Sequence, residues 1–315
     1  MKKKFILKKE LKIFEKQFIF LLKSKILFLK KIKNYFFLKK GKYVRPILIF
    51  LITKMLGTIS KKTYELASII ELIHTASILH DDVIDNSSFR RGFLTINSLW
   101  NNKIAVIFGD YIFSKSLNLA LNHNYINNLF SNLILKMSEG ELYQIDFIKN
   151  HKFSEKNYKK IIFNKTALLI STCCEQSGKL LKKKHTLFFL KKIGILIGLS
   201  FQIKDDLLDY NNFYTQNLFL KLNETKITLP FIYSFNKASL KEKKWILNLS
   251  KKKKNFFFYY KKLINFIFFL GGIEFSIYKM KLFTNKALIQ LNNFTNNSAN
   301  KSFKTLIFFF INRKF

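Results

Sequence analysis

Residues Thr63 to Asp85 read TYELASIIELIHTASILHDDVID. The stretch holds no Gly or Pro, and its apolar residues recur every three or four positions. That is the spacing of a long helix buried over most of its surface. It closes on Asp81, Asp82 and Asp85, in the form D-D-x-x-D. On a helix, positions i, i+1 and i+4 lie within about 100° of one another, so the three carboxylates share one face at one end.

The same form returns at Asp205, Asp206 and Asp209, in FQIKDDLLDY. With eight Asp in 315 residues, about 0.005 chance matches to such a pattern are expected. A single acidic run is ordinarily a solvated helix end. Two copies in a chain of formal net charge +37, each closing an apolar helix, are poorly explained that way. Crowded carboxylates repel and call for a cation. Oxygen-only ligands suit Mg²⁺, which takes one or two carboxylates and completes its shell with phosphate oxygens and water.

The charge balance, 56 basic against 19 acidic side chains, points at first to a nucleic-acid or membrane partner. The basic residues are nearly all Lys, however, with Arg only at 45, 90, 91 and 313. Lys, Asn, Ile and Phe are abundant together, while the chain has 10 Gly and 2 Pro, the mark of AT-rich coding. No nucleic-acid partner is expected. The scarce residues gain meaning: six of the eight Asp lie in the two clusters, Arg90 and Arg91 follow the first of them directly, Pro46 lies beside Arg45, and Pro230 lies beyond the second. Collagen-like, disulfide-stapled and disordered classes are excluded by the low Gly and Cys and a hydrophobic content of 49%. The two cysteines, Cys173 and Cys174, are adjacent, which disfavours a loop-closing disulfide or a metal site and fits a reducing cytoplasm. The first residues lack the apolar run of a secretory signal. Lys interrupts the apolar stretches elsewhere, short of the roughly 18 to 20 residues of a membrane span.

Helical spacing also covers Ala105 to Leu121, Tyr125 to Ile148, Tyr158 to Leu181 and Thr186 to Tyr210. Breaks fall at Asn86–Ser88, Asn122–Asn124 and Asn211–Asn212, and convincing strand alternation is absent. The expectation is one all-α domain over residues 1–315, of about ten helices, with its motifs between residues 41 and 230. Phosphate chemistry is indicated around the first cluster. Arg90 and Arg91 follow it, and Arg can grip phosphate through two parallel hydrogen bonds. Gly41-Lys42-Tyr43-Val44-Arg45-Pro46 places two more cations at a turn before a helix. His74 lies two turns before Asp81 on the same face, although a lone His on a buried helix is more often a core residue. Gln202 shares a face with Asp205.

IHTASILHDDVIDNSSFRRG, followed by FGDYIF, EGELYQ, NKTA and FQIKDDLLDY…LNETKITLP, resembles the trans-polyprenyl diphosphate synthases. It is most similar to the long-chain, octaprenyl-type bacterial enzymes that supply quinone side chains. The resemblance implies an antiparallel helical bundle of the isoprenoid synthase type with a deep central cavity. It implies Mg²⁺-dependent condensation of isopentenyl diphosphate onto an allylic diphosphate such as farnesyl diphosphate, in a homodimer. Carried over by residue, Asp81, Asp85, Asp205 and Asp209 bind the metal, with Asp82 and Asp206 supporting them. Lys42, Arg45, His74 and Arg91 match the isopentenyl diphosphate site. Arg90, Lys165, Thr166, Gln202 and Lys226 match contacts to the allylic diphosphate.

Ser77 and Ala76, four and five residues before Asp81, lie where short-chain relatives close the floor with an aromatic residue. Two small residues there predict a medium-to-long product. The chain departs from the family pattern at Thr215 to Lys221, where a lysine and an aspartate are lost, at Tyr43 in place of a basic residue, and at Asn97 in place of a common His. Competing readings are a short-chain synthase, a low-activity subunit of a heteromeric synthase, and a non-catalytic basic protein binding nucleic acid or membrane, for which Lys251 to Lys254 is the best segment. Terpene cyclases normally keep one D-D-x-x-D, so the second copy favours elongation over cyclisation. The Lys-rich surface suggests peripheral association with anionic lipid.

Overall fold

The computed structural model describes residues 6–38, 41–90, 92–121, 127–211, 227–249 and 256–313. Among them the fold is all-α, with fifteen α-helices and one two-stranded hairpin. The count exceeds the expected ten because short helices such as Ile96–Leu99 and Leu240–Leu249 stand on their own. The chain forms two compact units. The first comprises residues 1–135, 170–191 and 292–304; the second comprises 136–169, 192–291 and 305–315.

In the first unit, α1 (Lys8–Leu21), α2 (Leu27–Leu38) and α3 (Val44–Leu56) precede the long α4 (Lys61–Ile84). Ser60 starts α4, its N–H donating to Thr63 Oγ1 at 3.2 Å. From Leu66 to Ile73 every residue is buried, so α4 is a central helix rather than a surface one. The following α6 (Asn102–Leu121) lies along it. Their close approach requires Gly109, where a Cβ would come within 2.3 Å of His80 Nε2.

The end of α4 is set by its last residues. Asn86 adopts φ 46°, a left-handed value that Asn tolerates, and the N–H groups of Asn86 and Ser87 turn back to the carbonyls of Val83 and Asp82 at 3.2 and 2.9 Å. This left-handed cap stops the helix directly after Asp81, Asp82 and Asp85. A hairpin follows, pairing β1 (Phe89–Arg90) with β2 (Phe93–Leu94), and Gly92 supplies φ +80° at its turn.

In the second unit, the expected single helix from Tyr158 to Leu181 is three contiguous pieces. α8 (Glu155–Ile162) passes into a π-helical turn, Phe163–Ala167, and then into α9 (Leu168–Leu180), most of which belongs to the first unit. Such turns widen a helix by one residue and are frequent at functional sites. Two glycines from other helices press on this turn: Gly140 of α7 (Asn127–Lys149) against Asn164, and Gly198 of α10 (Leu187–Asn211) against Ala167. The unit's core gathers Phe147, Tyr158, Ile162, Ile203, Leu207 and Met280. It is completed by α11 (Leu229–Lys237), α12 (Leu240–Leu249), α13 (Phe256–Phe269) and α14 (Gly272–Leu291), with the end of α15 (Ser298–Asn312).

The expectation of no candidate membrane span is corrected on length and composition. Asn102–Leu121 and Lys184–Tyr210 are long and apolar enough to cross a membrane, with mean hydropathy 1.3 and 1.6. Over half of the second window, 56%, is buried within the protein, so core packing accounts for much of its apolar character.

Candidate active site

In the first unit, the three aspartates at the end of α4 differ in what holds them. Asp82 is buried, and Arg90 grips it: Arg90 Nε lies 2.8 and 3.0 Å from the two carboxylate oxygens and Nη2 lies 2.8 Å from Oδ1. The hairpin directs Arg90 back onto α4, since the chain turns at Gly92, two residues later. Asp81 is half-buried and Asp85, the helix cap, is exposed. Asn97 Nδ2 donates to the carbonyls of Ser87 and Asp82 at 3.2 and 3.4 Å, and Thr95 Oγ1 donates to Ser87 O at 2.6 Å. Asn97 therefore staples the loop behind the motif. Of the other expected residues, His74 and Ser77 are half-buried on α4, Ser77 Oγ donating to the His74 carbonyl at 2.9 Å, and Ala76 is fully buried. Lys42 is exposed and Arg45 half-buried at the start of α3. Between them Tyr43 takes φ 47° and packs edge-on against Phe14, which accounts for an aromatic residue there. Burial, with the nearby Glu15 and Glu71, pushes its phenol up to about 12.

In the second unit, Asp206 is the buried middle aspartate, and the donors that hold it include three among the described residues. They are Tyr158 O–H at 2.7 Å, Leu229 N–H at 3.2 Å and Gln202 Nε2 at 3.2 Å. Burial first, and then the charge and hydrogen bond of Asp206, push the Tyr158 phenol well above its usual value, so it stays a donor. Thr166 Oγ1 donates to Gln202 Oε1 at 2.7 Å, tying the π turn to α10. One residue earlier, Lys165 Nζ meets Glu141 at 2.6 Å and Gln144 Oε1 at 3.0 Å. Asp205 pairs with Arg313, and Asp209 is half-buried on the last turn of α10.

Each unit thus brings together one motif and part of the expected set. Asp82 and Arg90 meet in the first, which also carries Asp81, Asp85, Lys42, Arg45 and His74. In the other, Thr166, Gln202 and Asp206 are joined by hydrogen bonds, and Lys165 beside Thr166 pairs with Glu141 and Gln144. Arg91, Lys226, Thr215 to Lys221 and Lys251 to Lys254 lie outside the described residues. Both clusters sit at helix C-termini, where the macrodipole disfavours negative charge by roughly 0.3–1 kcal/mol per group. Stability alone gives no reason to concentrate six of eight Asp there. Among the described residues, no three His, Cys, Asp or Glu side chains are close enough to hold a metal by themselves. The donors are all carboxylate oxygens, a set that suits a hard cation whose remaining ligands come from outside the protein.

Residues 27–264 match the family model described as polyprenyl synthetase. The chain belongs to that family. Among curated relatives it is 34% identical to octaprenyl diphosphate synthase of Escherichia coli (strain K12) over 206 residues, 62% of each chain. The match therefore spans less than two thirds of that relative's length. It is 31% identical to heptaprenyl diphosphate synthase component 2 of Bacillus subtilis (strain 168) over 288 residues, 87% of this chain and 80% of that one. Among solved structures, a decaprenyl diphosphate synthase from Rhodobacter capsulatus superposes with a TM-score of 0.91 over 98% of this chain and 97% of that one, at 25% identity. The all-α isoprenoid synthase fold is thereby established.

As a polyprenyl synthetase, the chain contains several contacts that its sequence did not announce. EGELYQ carries Glu141 and Gln144, the partners of Lys165, and Tyr158 anchors Asp206 from 48 residues away. Arg313 could have been suspected: it is the one Arg left over when Arg90 and Arg91 are placed beside the first motif and Arg45 in the Gly41–Pro46 turn. Nothing in the sequence names Asp205 as its partner.

Proposed function

We propose that the chain is a medium- to long-chain all-trans polyprenyl diphosphate synthase that extends an allylic diphosphate, such as farnesyl diphosphate, with isopentenyl diphosphate in a Mg²⁺-dependent reaction. The observation that carries this reading is the pair of aspartate clusters, each on a helix C-terminus with its middle member locked by protein donors. Asp81, Asp85, Asp205 and Asp209 would hold Mg²⁺, which when bound supplies positive charge against the departing diphosphate. The allylic diphosphate ionises at its C–O bond to an allylic carbocation, and the residues that the family resemblance assigns to it are Arg90 in the first unit, Lys165, Thr166 and Gln202 in the second, and Lys226. Lys42, Arg45, His74 and Arg91 hold isopentenyl diphosphate so that its double bond attacks that cation, and loss of a proton leaves a chain one isoprene longer. No side-chain nucleophile is needed.

Ala76 and Ser77 support a long product, and so do the octaprenyl, heptaprenyl and decaprenyl names of the relatives. The test is an assay with labelled isopentenyl diphosphate, farnesyl diphosphate and Mg²⁺, resolved by chain length. A ladder ending near C40 is expected; a stop at C15 to C20 would leave the chemistry and remove the chain-length reading. A second reading, one subunit of a heteromeric synthase, is favoured by the component 2 relative and predicts incorporation only after a partner is added. Homodimerisation belongs to the main proposal, and a monomeric mass in sedimentation equilibrium would count against it. So does association with anionic lipid; co-sedimentation with vesicles that ignores lipid charge would remove that part.

A further inference from the structure

Arg313, the last described residue, reaches the second aspartate motif. Its guanidinium carbon lies 4.1 Å from the centroid of the Phe201 ring, Nη2 donates to the Phe201 carbonyl at 3.3 Å, and the same nitrogen pairs with Asp205 Oδ1. Phe310, three residues earlier, packs edge-on against Phe201 at 5.3 Å. The Arg313 side chain is only 15% exposed, so a stacked, hydrogen-bonded guanidinium is built into the surface of α10. Such a group is held by shape as well as by charge.

The two motifs differ in which aspartate an arginine takes. In the first, Arg90 grips the middle residue, Asp82, and leaves the outer pair out of that fork. In the second, the middle residue, Asp206, is held by uncharged donors, while the arginine takes the outer residue, Asp205. A divalent cation arriving at Asp205 therefore meets a guanidinium already on the carboxylate. Two cations on one oxygen repel, so one must weaken or leave.

We propose that Arg313 is a resident counter-ion of the second motif, which competes with the divalent cation for Asp205 and couples filling of this motif to release of the end of α15 from α10. The proposal rests on the reading of the second motif as a metal site. It makes Arg313 a positioning residue that sets when, and how tightly, Asp205 is filled.

The test uses the full chain without substrate and Mn²⁺ alone as probe, titrated by calorimetry or electron paramagnetic resonance. Arg313→Gln is expected to tighten Mn²⁺ binding roughly fivefold, the upper end of what a partly exposed ion pair supplies, with Arg313→Lys falling between it and the wild type because Lys keeps the charge but not the stacked fork. Asp205→Asn should weaken binding. Should Arg313→Gln fail to fold, hydrogen exchange on the wild type still decides: saturating Mn²⁺ should speed exchange over residues 309–312. An isotherm that Asp205→Asn weakens but Arg313→Gln leaves unchanged overturns the competition alone. Unchanged exchange over residues 309–312 overturns the coupled release. An isotherm untouched by Asp205→Asn overturns the metal reading of the motif, and the inference with it.

Discussion

Tyr158→Phe isolates what the second motif owes to its surroundings. The substitution removes one oxygen and nothing else, so it opens almost no cavity. That oxygen donates at 2.7 Å to a carboxylate that is 2% exposed, and the Gln202 and Leu229 donors to Asp206 stand farther off, both at 3.2 Å. A hydrogen bond to a charged group contributes about 1.5–3 kcal/mol, and the loss here should be near 2 kcal/mol because the Gln202 and Leu229 donors survive. For a chain of this size that is a fall in melting temperature of roughly 4 °C. The loosened Asp206 also steadies Asp205 and Asp209 less well. The Mg²⁺ concentration giving half-maximal activity should rise about tenfold, the low end of the cost of disturbing groups that orient metal ligands. Thermal melts and Mg²⁺ titrations of activity on the two proteins measure both quantities. A melting temperature within about 1 °C of the wild type together with an unchanged Mg²⁺ requirement would refute the bracketing role of Asp206.

Three further outcomes follow from the same structure. Burial pushes the Cys173 thiol up to about 12 and the Cys174 thiol well above its usual value, and Tyr43 and Tyr158 are raised as well. Each is an acid kept protonated by folding, so its contribution is complete below the unfolded pKa and is lost as pH rises from there through the folded value. Stability should therefore decline from about pH 9 upward, at up to about 1.4 kcal/mol per pH unit per group, and a melting temperature flat to pH 11 would contradict this. Gly198→Ala sets a Cβ 2.4 Å from the Ala167 backbone and should cost about 1–3 kcal/mol, whereas Gly109→Ala meets only the movable His80 ring and should cost less; denaturant melts showing the reverse order would sink the argument. Ser77→Phe places an aromatic ring one turn below Asp81 and should shorten the product, so a product ladder of wild-type length would exclude that position as part of the floor.

The central helix was legible because nothing competes with its pattern: Lys61–Ile84 differs from the expected start by two residues, and Asp85 is its cap. The left-handed Asn86 was visible only as a turn-prone residue. The π turn at Phe163–Ala167 was not legible, since its apolar spacing continues that of the flanking helices, and it is set by Gly140 and Gly198 from distant parts of the chain. At the site, residue types and spacing announced both aspartate clusters and an arginine, Arg90, beside the first, but not Arg313 beside the second. Which cation holds which carboxylate is a matter of pairs such as Arg313 and Asp205, 108 residues apart, and local patterns carry no record of them. Composition could have flagged Arg313, because a chain that spends Lys almost everywhere kept only four Arg. The expectation that Lys breaks every apolar stretch short of a membrane span was wrong for Asn102–Leu121 and Lys184–Tyr210, each of which holds an apolar window of 18 residues, and over half of the second window is buried within the protein.

The most direct test of the account is to divide the eight aspartates by role and measure incorporation of labelled isopentenyl diphosphate with Mg²⁺. Asp81→Ala with Asp85→Ala, and separately Asp205→Ala with Asp209→Ala, should each lower the rate about a thousandfold, as loss of charge stabilisation at the reacting centre does. Asp146→Asn, which alters a surface aspartate bonded to Lys152, should leave the rate within about twofold. Full incorporation by either double variant would contradict the claim that both clusters serve one metal-dependent reaction.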